Sequence, residues 1–556
     1  MRDRPMSKVV VLCIVAAVFA SSSLGQERLT PPMTADIVVY GGTSAGAMAA
    51  VHVARAGKTA IIIEPTHQVG GLTTHGLGMT DTGKKSVIGG LAREFYQRIK
   101  QHYDRPEAWH FTHLAGLGQQ EFEAYRPAED AMWRFEPHVA QQVLDRMLLE
   151  QGVRVLYGER LRRPAGVRKK DRHIESILLE SGKTVAGRMY IDATYEGDLM
   201  AAAGVTYAVG RESNATYGET LNGIQAARNT HNHRFPFPVD PFIRRGEPES
   251  GLLPGVRSQP LGLDGAADAG IQAYCFRMCM TNVAENRVEF SQPEGYDESQ
   301  YELLLRNFEA GDMRLPFHAV MMPNGKTDTN NNGAVSTDWI GMNFDYPEAS
   351  YDEREAIVAA HLRYQQGLMW TLAHHPRVPD AIRAQMKPWG LARDEFRTSG
   401  NWPPQIYVRE ARRMVGDYVM TELDCRRTRP TPQSIGMGSY NMDSHNVHRY
   451  VTATGEVQNE GDVQESPHGP YQISYGAIVP RQGEADNLLV PVCLSSSHIA
   501  YGSIRMEPVF MILGQSAATA ACLAIDGSQA VQSVDYGRLR EVLLRDGQVL
   551  EDTLDP

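Results

Sequence analysis

The chain has few cysteines, and this scarcity limits the chemistry that it can support. Its 556 residues include six cysteines, of which Cys13 lies in an N-terminal apolar segment, so the other five cannot all pair with one another. Cys275 and Cys279 lack a second pair of ligands at metal-site spacing. We therefore predict at least one free thiol and no metal site.

Basic residues are outnumbered, since the formal net charge is -11 at pH 7. No basic stripe offsets this acidic balance, and the one basic run, at residues 168–173, is typical of a solvated hairpin tip. Nucleic acid binding relies on clustered positive charge. The sequence thus predicts no nucleic acid partner.

Long apolar runs are also absent beyond the N-terminus. Arg2, Arg4 and Lys8 precede twelve apolar residues, 9–20, and small residues follow up to residue 25. This pattern is typical of a secretory signal peptide, and the run is shorter than the roughly 20 residues that span a bilayer. We expect a periplasmic or secreted protein without a membrane span.

What the chain does contain is a short apolar strand that leads into a Gly-rich turn. Residues 36–46 end in Gly41-Gly42-Thr43-Ser44-Ala45-Gly46, and a helix rich in small residues follows. Gly41 allows a tight turn, Gly46 allows close helix packing, and the N–H groups of the first helical turn attract phosphate. The segment predicts a pyrophosphate cradle in which Thr43 replaces the usual middle glycine.

The context of this turn completes a βαβ unit. The helix ends at Gly57, and residues 59–63 predict a second buried strand that ends at Glu64. Glu64 lies 64 minus 41, or 23, residues after Gly41, close to the spacing of about 20 at which an acid binds ribose hydroxyls. The alternative is an ordinary strand-turn-helix with a solvated Glu64.

Polar clusters farther along the chain have two interpretations. Asp192, Glu196 and Asp198 follow a predicted strand; they either contact a ligand or include an N-cap at Asp198 with the rest solvated. The segments 325–333 and 438–446 are rich in Asn, Asp and Ser, so they either bind a hydroxyl-rich molecule or form self-capped loops.

The C-terminal part predicts a strand at 487–492, a polar loop at 493–507 and a helix from Pro508 to about residue 525. Proline suits the first turn of a helix because it has no N–H to leave unpaired. Small residues along this helix predict close packing against the first helix. Cys493, at a strand end, is expected to be a buried and inert thiol.

These motifs together resemble the bacterial FAD-dependent oxidoreductase family, within the glutathione-reductase-like flavoproteins. The matching segments are 36–46, Glu64-Pro65, 70–74, 192–198, 407–412, 438–446 and 500–508. The resemblance implies an α/β fold, with a Rossmann-like FAD-binding domain (a parallel sheet with a β-meander) and an inserted α+β substrate domain. The expected parts are a signal peptide (1–25), the FAD-binding domain (34–213 and 461–530), the insert (214–460) and a C-terminal tail (531–556).

The same resemblance implies where FAD binds. Its pyrophosphate would lie at the Gly-rich turn, its ribose at Glu64, and its isoalloxazine near the C-terminal loop, with the N-terminus of the Pro508 helix toward the flavin N1–C2=O edge. The implied cofactor residues are Gly41, Gly42, Thr43, Ser44, Ala45, Gly46, Glu64, Pro65, Gly70, Gly71, Leu72, Thr73, Asp192, Ala193, Thr194, Arg505, Glu507 and Pro508.

Oxidation of a substrate by a flavin requires a base and a group that steadies developing charge. The candidates are His498, Tyr501 and Arg505 on the C-terminal loop, with His498 first as the base, and His445 with Asp443 as second choices. We expect a dehydrogenase or oxidase acting on a small polar molecule, such as a sugar or polyol. The expected electron acceptor is a quinone, a cytochrome or oxygen, because no second Gly-rich fingerprint for a nicotinamide cofactor is found.

Two other classes stay open. Some relatives carry a xanthan lyase label, so the chain could be a carbohydrate-binding or polysaccharide-processing protein on a flavoprotein scaffold. A flavin monooxygenase is the third possibility, and it would require reduction by NADPH. Yellow colour and bleaching by substrate would distinguish an oxidoreductase from a binding protein, and NADPH consumption would identify a monooxygenase.

Overall fold

The computed structural model describes residues 32–112 and 124–552, and the predicted signal peptide lies outside them. The main sheet has the strand order β3-β2-β1-β6-β5-β4, and β20 also pairs with β6. Its strands are β1 (Met33–Tyr40), β2 (Ala60–Glu64), β3 (Arg154–Tyr157), β4 (Val167–Lys170), β5 (His173–Leu178), β6 (Thr184–Asp192) and β20 (Leu488–Leu489). The fold is α/β, as predicted.

The strand directions in this sheet explain where a site forms. β1, β2, β3, β6 and β20 run parallel, whereas β4, β5 and β6 form an antiparallel meander. Because the carboxyl ends of parallel strands meet at one edge, Gly41 after β1, Glu64 at the end of β2 and Asp192 at the end of β6 lie along the same edge. Open α/β sheets bind their ligands at this edge.

Helices cover both faces of the main sheet and the neighbouring layers. The described helices of four or more residues are α1 (Ser44–Arg55), α2 (Gly90–Tyr103), α3 (Pro137–Glu150), α4 (Asp198–Ala202), α5 (Asn214–Tyr217), α6 (Glu302–Glu309), α7 (Tyr351–His374), α8 (Asp380–Met386), α9 (Glu422–Cys425), α10 (His498–Ile504), α11 (Glu507–Gly527) and α12 (Tyr536–Arg545). The βαβ unit of β1, α1 and β2 agrees with the sequence pattern.

Side chains of β1 alternate between two apolar cores. Ile37 and Val39 belong to the core that also contains α1 and α11, whereas Val38 and Tyr40 belong to the core under the meander. A strand that is buried on both faces has a continuous apolar sequence rather than an alternating one. This explains why residues 37–40 carry no polar side chain except the Tyr40 hydroxyl.

A second sheet and its own apolar core lie within the predicted insert. This antiparallel sheet has the order β10-β11-β8-β12-β9, and its core includes residues of α6, α7 and α8. Its strands are β8 (Met280–Thr281), β9 (Arg287–Val288), β10 (Phe317–Met322), β11 (Lys326–Asn331) and β12 (Gly390–Ala392). The boundaries of the insert remain a prediction.

Four two-stranded ribbons complete the described strands, and two of them approach the site. They pair β7 (Tyr207–Ala208) with β13 (Arg413–Met414), β14 (Ser434–Gly438) with β19 (Tyr471–Ser474), β15 (Met442–Ser444) with β18 (Val463–Glu465), and β16 (His448–Val451) with β17 (Val457–Glu460). The ribbon of β15 carries Asp443, which enters the site described below.

The Asn-rich segment 325–333 is neither a self-capped loop nor an open polar surface. Most of it forms β11, whose Lys326, Asp328 and Thr329 side chains are buried. Asp328 pairs with Arg277, with both oxygens 2.8 Å from guanidinium nitrogens. The loop alternative is therefore wrong, because long-range partners that the local sequence does not reveal hold this segment extended.

The loop predicted at 493–507 is also partly helical. α10 begins after Ser497, whose hydroxyl accepts a hydrogen bond from the Ala500 N–H at 3.3 Å. α11 then starts at Glu507, with Pro508 in its first turn. By length and composition α11 could cross a membrane, but 94% of its apolar window is buried within the protein, as in a core helix.

α1 and α11 approach closely because small residues line their contact. A Cβ added to Gly514 of α11 would lie 2.2 Å from the carbonyl oxygen of Ala45. No side chain fits at this distance without moving one helix. α11 thus packs directly against α1, the helix that begins at the Gly-rich turn.

We expect Gly514→Ala to destabilise the protein by about 1–3 kcal/mol, as overpacking of a core does. Gly527→Ala, in the same helix, is the matched control, since its Cβ would meet only the flexible side chain of Gln529 at 3.0 Å. Chemical unfolding of both variants measures the free energy of unfolding. Equal stability of the two variants would contradict the close helix contact.

Candidate functional site

The Gly-rich turn forms a cradle that has no room for side chains. Gly41 has φ +96°, and a Cβ there would lie 2.7 Å from Thr194 Cγ2. A Cβ on Gly46 would lie 2.0 Å from the Gly41 carbonyl oxygen. Thr43, in place of the middle glycine, caps α1: its hydroxyl accepts from the Gly46 N–H at 3.4 Å and donates to the Ala193 carbonyl at 2.7 Å.

Glu64 is buried beside this cradle. One carboxylate oxygen accepts the Gly42 N–H and the other accepts the Thr66 N–H, each at 2.7 Å. Burial raises the pKa of Glu64, while these hydrogen bonds act in the opposite direction. The interpretation of Glu64 as a solvated acid is therefore wrong, and each of its oxygens keeps a further lone pair for a ribose hydroxyl.

Glu507 connects the cradle to the C-terminal helix. Its carboxylate accepts hydrogen bonds from the Ser44 hydroxyl at 2.6 Å, the Thr73 hydroxyl at 2.7 Å and the Tyr195 hydroxyl at 2.7 Å. Tyr195 also accepts the Leu72 N–H at 2.9 Å. Burial raises the pKa of Glu507, whereas the three hydroxyl donors stabilise its charged form.

One buried nitrogen in the same turn has no partner. His75 Nδ1 lies 2.6 Å from the Gly71 carbonyl, which can only accept, so Nδ1 carries the hydrogen and Nε2 is a bare acceptor. Nε2 is buried without a partner within residues 32–112 and 124–552. Burial lowers the pKa of His75 to about 4, so the ring is neutral at pH 7.

These residues fit a bound dinucleotide. The turn is too tight for a Cβ, α1 presents its N-terminus there, a buried acid stands at the ribose position, and His75 Nε2 lacks a donor. Of the predicted cofactor residues, Asp192 is engaged by the protein: it accepts from the Thr194 hydroxyl at 2.6 Å and from the Met200 N–H at 2.8 Å. Its role toward FAD remains a prediction.

The acidic cluster after β6 is ordered by arginines. α4 is capped by Gly197 and not by Asp198, whose carboxylate instead pairs with Arg354 at 2.7 Å and with Arg412 at 2.8 Å. The prediction of an Asp198 N-cap is wrong because two distant guanidinium groups pull the carboxylate away from the helix end. Glu196 accepts the Tyr346 hydroxyl at 3.0 Å.

A histidine with one open nitrogen lies where the insert meets the C-terminal segment. His445 Nδ1 is 2.7 Å from Asp338 Oδ2, and Nε2 is 3.6 Å from Asp443 Oδ2. Burial raises the pKa of Asp338, but Arg409 and His445 outweigh it and hold that pKa below its ordinary value. Asp338 is thus an ionised acceptor, and it fixes the hydrogen of His445 on Nδ1.

Arg505 and Tyr407 form the adjoining part of the site. Arg505 Nη1 donates to the Tyr407 hydroxyl oxygen at 2.8 Å, and Nη2 donates to the Asp443 carbonyl at 3.1 Å. Asp443 is buried, which raises its pKa, but His445 and Arg505 lower it to about 2. Arg505, Asp443 and His445 therefore form one connected group.

His498, the first choice for the base, has both ring nitrogens engaged. Nδ1 lies 2.8 Å from Glu410 Oε2, and Nε2 lies 3.0 Å from the Ser444 hydroxyl. The ring is 2% exposed. His498 can support β15 through Ser444, but no open nitrogen faces a substrate, so His445 replaces it as the candidate base.

The remaining predicted residues have supporting positions. Tyr501 is buried on α10 next to Phe510, with ring centroids 6.5 Å apart, and burial raises its pKa. Cys493 is buried, and its thiol lies 3.3 Å from the Thr194 carbonyl, so it is a packed thiol as expected.

Sequence reasoning missed Asp338, Arg409 and Tyr407. The segment 407–412 belongs to the family resemblance, yet nothing in its local pattern shows that Arg409 pairs with Asp338 and Tyr407 with Arg505. Asp338 lies more than a hundred residues from His445 in sequence. Only an observed contact identifies such a partner.

One acidic group of the described chain has the spacing of a metal site. Glu136, His138 and Glu395 offer ligand atoms within 4.8 Å of one another. Lys326 Nζ, however, lies 2.8 Å from Glu136 and 2.7 Å from Glu395, so its ammonium group occupies the cation position. This cluster is therefore explained as a buried ion-pair network.

The fold and the cradle define a dinucleotide-binding α/β enzyme, and comparison with known proteins gives its family. The model of the FAD-dependent oxidoreductase family matches residues 36–543. The chain belongs to this family, so the protein is an oxidoreductase with FAD as its cofactor. A search of curated protein sequences finds no match.

Several solved structures contain similar segments. They include THI4 from Thermovibrio ammonificans (14% identity, 34% of this chain and 71% of that chain, TM-score 0.22). A flavin-containing monooxygenase from Stenotrophomonas maltophilia has 16% identity over 35% and 45% of the two chains, with TM-score 0.19. An L-amino acid deaminase from Proteus vulgaris has 15% identity over 33% and 53%, with TM-score 0.23. The matched region spans about half the length of the latter two, and such low scores carry no functional argument.

We expect Glu64→Ala to weaken FAD binding about 10- to 100-fold, because hydrogen bonds to a charged group contribute about 1.5–3 kcal/mol each. The exposed Glu249→Ala is the matched control. Quenching of flavin fluorescence on titration with apoprotein gives the dissociation constant. Unchanged affinity in the Glu64 variant would remove the ribose assignment.

A second prediction concerns Glu410, the partner of His498. Burial raises its pKa, but His498 and Arg413 lower it from 4.5 to about 2. A carboxylate with a lowered pKa stabilises the fold above pH 4.5, and this contribution is lost as the pH falls toward 2. We expect Glu410→Gln to lose about 3 kcal/mol at pH 7, since one unit is worth about 1.4 kcal/mol.

Chemical unfolding between pH 7 and pH 3 measures this effect. The free energy of unfolding of the wild type is expected to fall more steeply below pH 4.5 than that of the Glu410→Gln variant. The exposed Glu249→Gln variant should follow the wild type. Parallel curves for wild type and Glu410→Gln would show that the Glu410 pKa is not lowered.

Proposed function

We propose that this protein is an exported FAD-dependent dehydrogenase or oxidase that acts on a small polar substrate, with His445 as the general base. The observation that carries the proposal is the geometry of His445: Nδ1 is held by Asp338 at 2.7 Å, and within residues 32–112 and 124–552 the ion-pair contact of Nε2 is a longer one, to Asp443 at 3.6 Å. When bound, FAD supplies the acceptor for a substrate hydride.

The role of each residue follows from this arrangement. Asp338 accepts the Nδ1 hydrogen and orients the imidazole, so His445 Nε2 is the nitrogen placed to take a proton from a substrate O–H or N–H. Asp443 lies 3.6 Å from that nitrogen. Arg505 holds Asp443 through its backbone carbonyl and contacts its side chain at 3.4 Å.

The proposed substrate class has mixed support. A base that removes a hydroxyl proton suits an alcohol, including the sugar or polyol predicted from the sequence. The Asn-rich segment that suggested such a substrate is engaged within β11, so it adds no support. The sugar or polyol class stays a prediction that a substrate panel can test.

Export and the electron acceptor are supported by the sequence. The basic start, the apolar run at 9–20 and the small residues before residue 26 favour secretion. Nicotinamide cofactors are scarce outside the cytoplasm, so a quinone, a cytochrome or oxygen is the proposed acceptor. Oxygen uptake during turnover distinguishes an oxidase from a dehydrogenase.

The visible absorption spectrum of the purified holoprotein tests the proposal. We expect two flavin bands, bleached under anaerobic conditions by one member of a panel of alcohols, sugars and polyols. A colourless protein that cannot be reconstituted with FAD would favour a carbohydrate-binding or lyase-like protein. Reduction by NADPH without substrate would instead identify a monooxygenase.

We expect His445→Gln to slow flavin reduction by substrate about 10²- to 10⁴-fold, the usual contribution of a general base. Flavin content should remain at the wild-type level because His445 lies outside the cradle. His318→Gln, at an exposed histidine, is the control. Stopped-flow absorbance of each holoprotein measures the rate, and a wild-type rate in the His445 variant would exclude it as the base.

A further inference from the structure

Arg505 is a buried guanidinium that lacks a close carboxylate partner. It is 3% exposed, and its short hydrogen bonds go to two neutral acceptors, the Tyr407 hydroxyl and the Asp443 carbonyl. The nearest carboxylate oxygen, of Asp443, is 3.4 Å away, and Nε has no partner among the described residues. Buried charges in proteins are normally paired and fully hydrogen-bonded.

The hydroxyl hydrogen of Tyr407 has no acceptor in the part of the chain that the structure describes. A guanidinium group can only donate, so the Tyr407 oxygen accepts from Arg505 and must direct its own hydrogen elsewhere. No acceptor for that hydrogen is found within residues 32–112 and 124–552. A buried hydroxyl normally finds an acceptor, so the Arg505–Tyr407 pair is ready to receive an oxygen ligand.

Two further guanidinium groups make this region positive. The Arg409 and Arg277 guanidinium carbons lie 4.7 Å and 5.9 Å from the Tyr407 ring centroid, and that of Arg505 lies at 5.8 Å. Arg277 is neutralised by Asp328, and Arg409 pairs with Asp338 at 2.9 Å. Arg505 alone of the three has no carboxylate within 3 Å.

We propose that Arg505 and Tyr407 bind the carboxylate of the substrate, which is therefore a hydroxylated carboxylic acid. This inference rests on the proposed function and names its substrate class. A carboxylate accepts charge-assisted hydrogen bonds from the unpartnered Arg505 Nε and from the Tyr407 hydroxyl together, whereas a neutral hydroxyl offers a single, weaker acceptor. The positive N-terminus of α11 is separately available to a reduced flavin.

The position of the base supports the same substrate class. Asp443 contacts Arg505 at 3.4 Å and His445 Nε2 at 3.6 Å, so one residue separates the carboxylate site from the base. With the substrate carboxylate on Arg505, we expect a hydroxyl on the neighbouring carbon to lie toward His445. The geometry therefore favours 2-hydroxy acids, including sugar acids.

Matched pairs of ligands test this inference on the holoprotein. D-Gluconate and sorbitol differ only by a carboxylate in place of a hydroxymethyl group, and L-lactate and propane-1,2-diol form a second such pair. Perturbation of the flavin absorption bands, titrated anaerobically, gives the dissociation constant of each. We expect each acid that binds to do so at least 100-fold more tightly than its neutral counterpart.

Variants of the two residues provide the second arm. Tyr407→Phe should weaken acid binding about tenfold with unchanged flavin content, and Arg505→Lys should weaken it about 10- to 100-fold in the molecules that retain flavin. Both variants should have little effect on the neutral ligands. Tyr450→Phe, on β16, is the matched control. If Arg505→Lys loses flavin but retains acid affinity in the molecules that keep it, the guanidinium serves the cofactor and the inference fails.

The outcomes distinguish this inference from the proposed function. Bleaching by a neutral polyol, with equal affinity for gluconate and sorbitol, would support the oxidoreductase and overturn the carboxylate site. Acid binding that depends on Tyr407 without any bleaching would support the carboxylate site and contradict the proposed reaction. Binding of neither acid overturns the inference.

Discussion

The carboxylate of Glu507 is the contact on which the cofactor site depends. Its oxygens accept hydroxyl hydrogens from the start of α1, the turn after β2, and the segment after β6. Backbone hydrogen bonds already join these three segments to one another, through Gly70 N–H to the Gly42 carbonyl and Ala193 N–H to the Tyr40 carbonyl. Glu507 adds the C-terminal helix to them. Three hydroxyl donors stabilise this buried carboxylate. Loss of any one of them would leave part of its charge without a hydrogen bond in a low-dielectric environment.

Close packing reinforces this constraint. Gly514 lets α11 lie directly against α1, so the helix that carries Glu507 cannot shift along the helix that starts at the cradle. The same helix is apolar along its length because it is surrounded by protein. The cradle, the turn after β2 and the C-terminal helix therefore hold one another in place.

Local sequence patterns predicted the parts of this structure that local interactions decide. The βαβ unit, Glu64 at the end of β2 and the start of α11 follow from strand and turn residues and from a proline in a first helical turn. The same reasoning was wrong for Asp198, for the Asn-rich segment and for the loop before Glu507. In the first two cases a buried ion pair with a distant arginine or carboxylate decided the outcome.

The choice between His498 and His445 shows why catalytic residues are the hardest to predict. Both histidines lie in polar segments of the C-terminal half, and the sequence favoured the one nearer the predicted flavin loop. In the structure the two histidines differ at Nε2. That of His498 lies 3.0 Å from the Ser444 hydroxyl, whereas that of His445 lies 3.6 Å from the Asp443 carboxylate. That difference depends on Glu410 and Asp338, which reach the two rings from elsewhere in the chain.

The buried charges around Tyr407 suggest a reason for the ion-pair networks in the insert. Arg277 and Arg409 each have a dedicated aspartate, and Lys326 is surrounded by carboxylates, so these side chains are fixed before any ligand arrives. Side chains that are already fixed and neutralised in this way form a rigid frame, and the free-energy cost of rearranging them is smaller when a charged substrate binds. Arg505 is the exception in this frame, because its one carboxylate contact among the described residues is long, 3.4 Å to Asp443, and its Nε has no partner there. A guanidinium with donors to spare, beside a histidine, is the arrangement that we propose for binding and deprotonating an anionic alcohol.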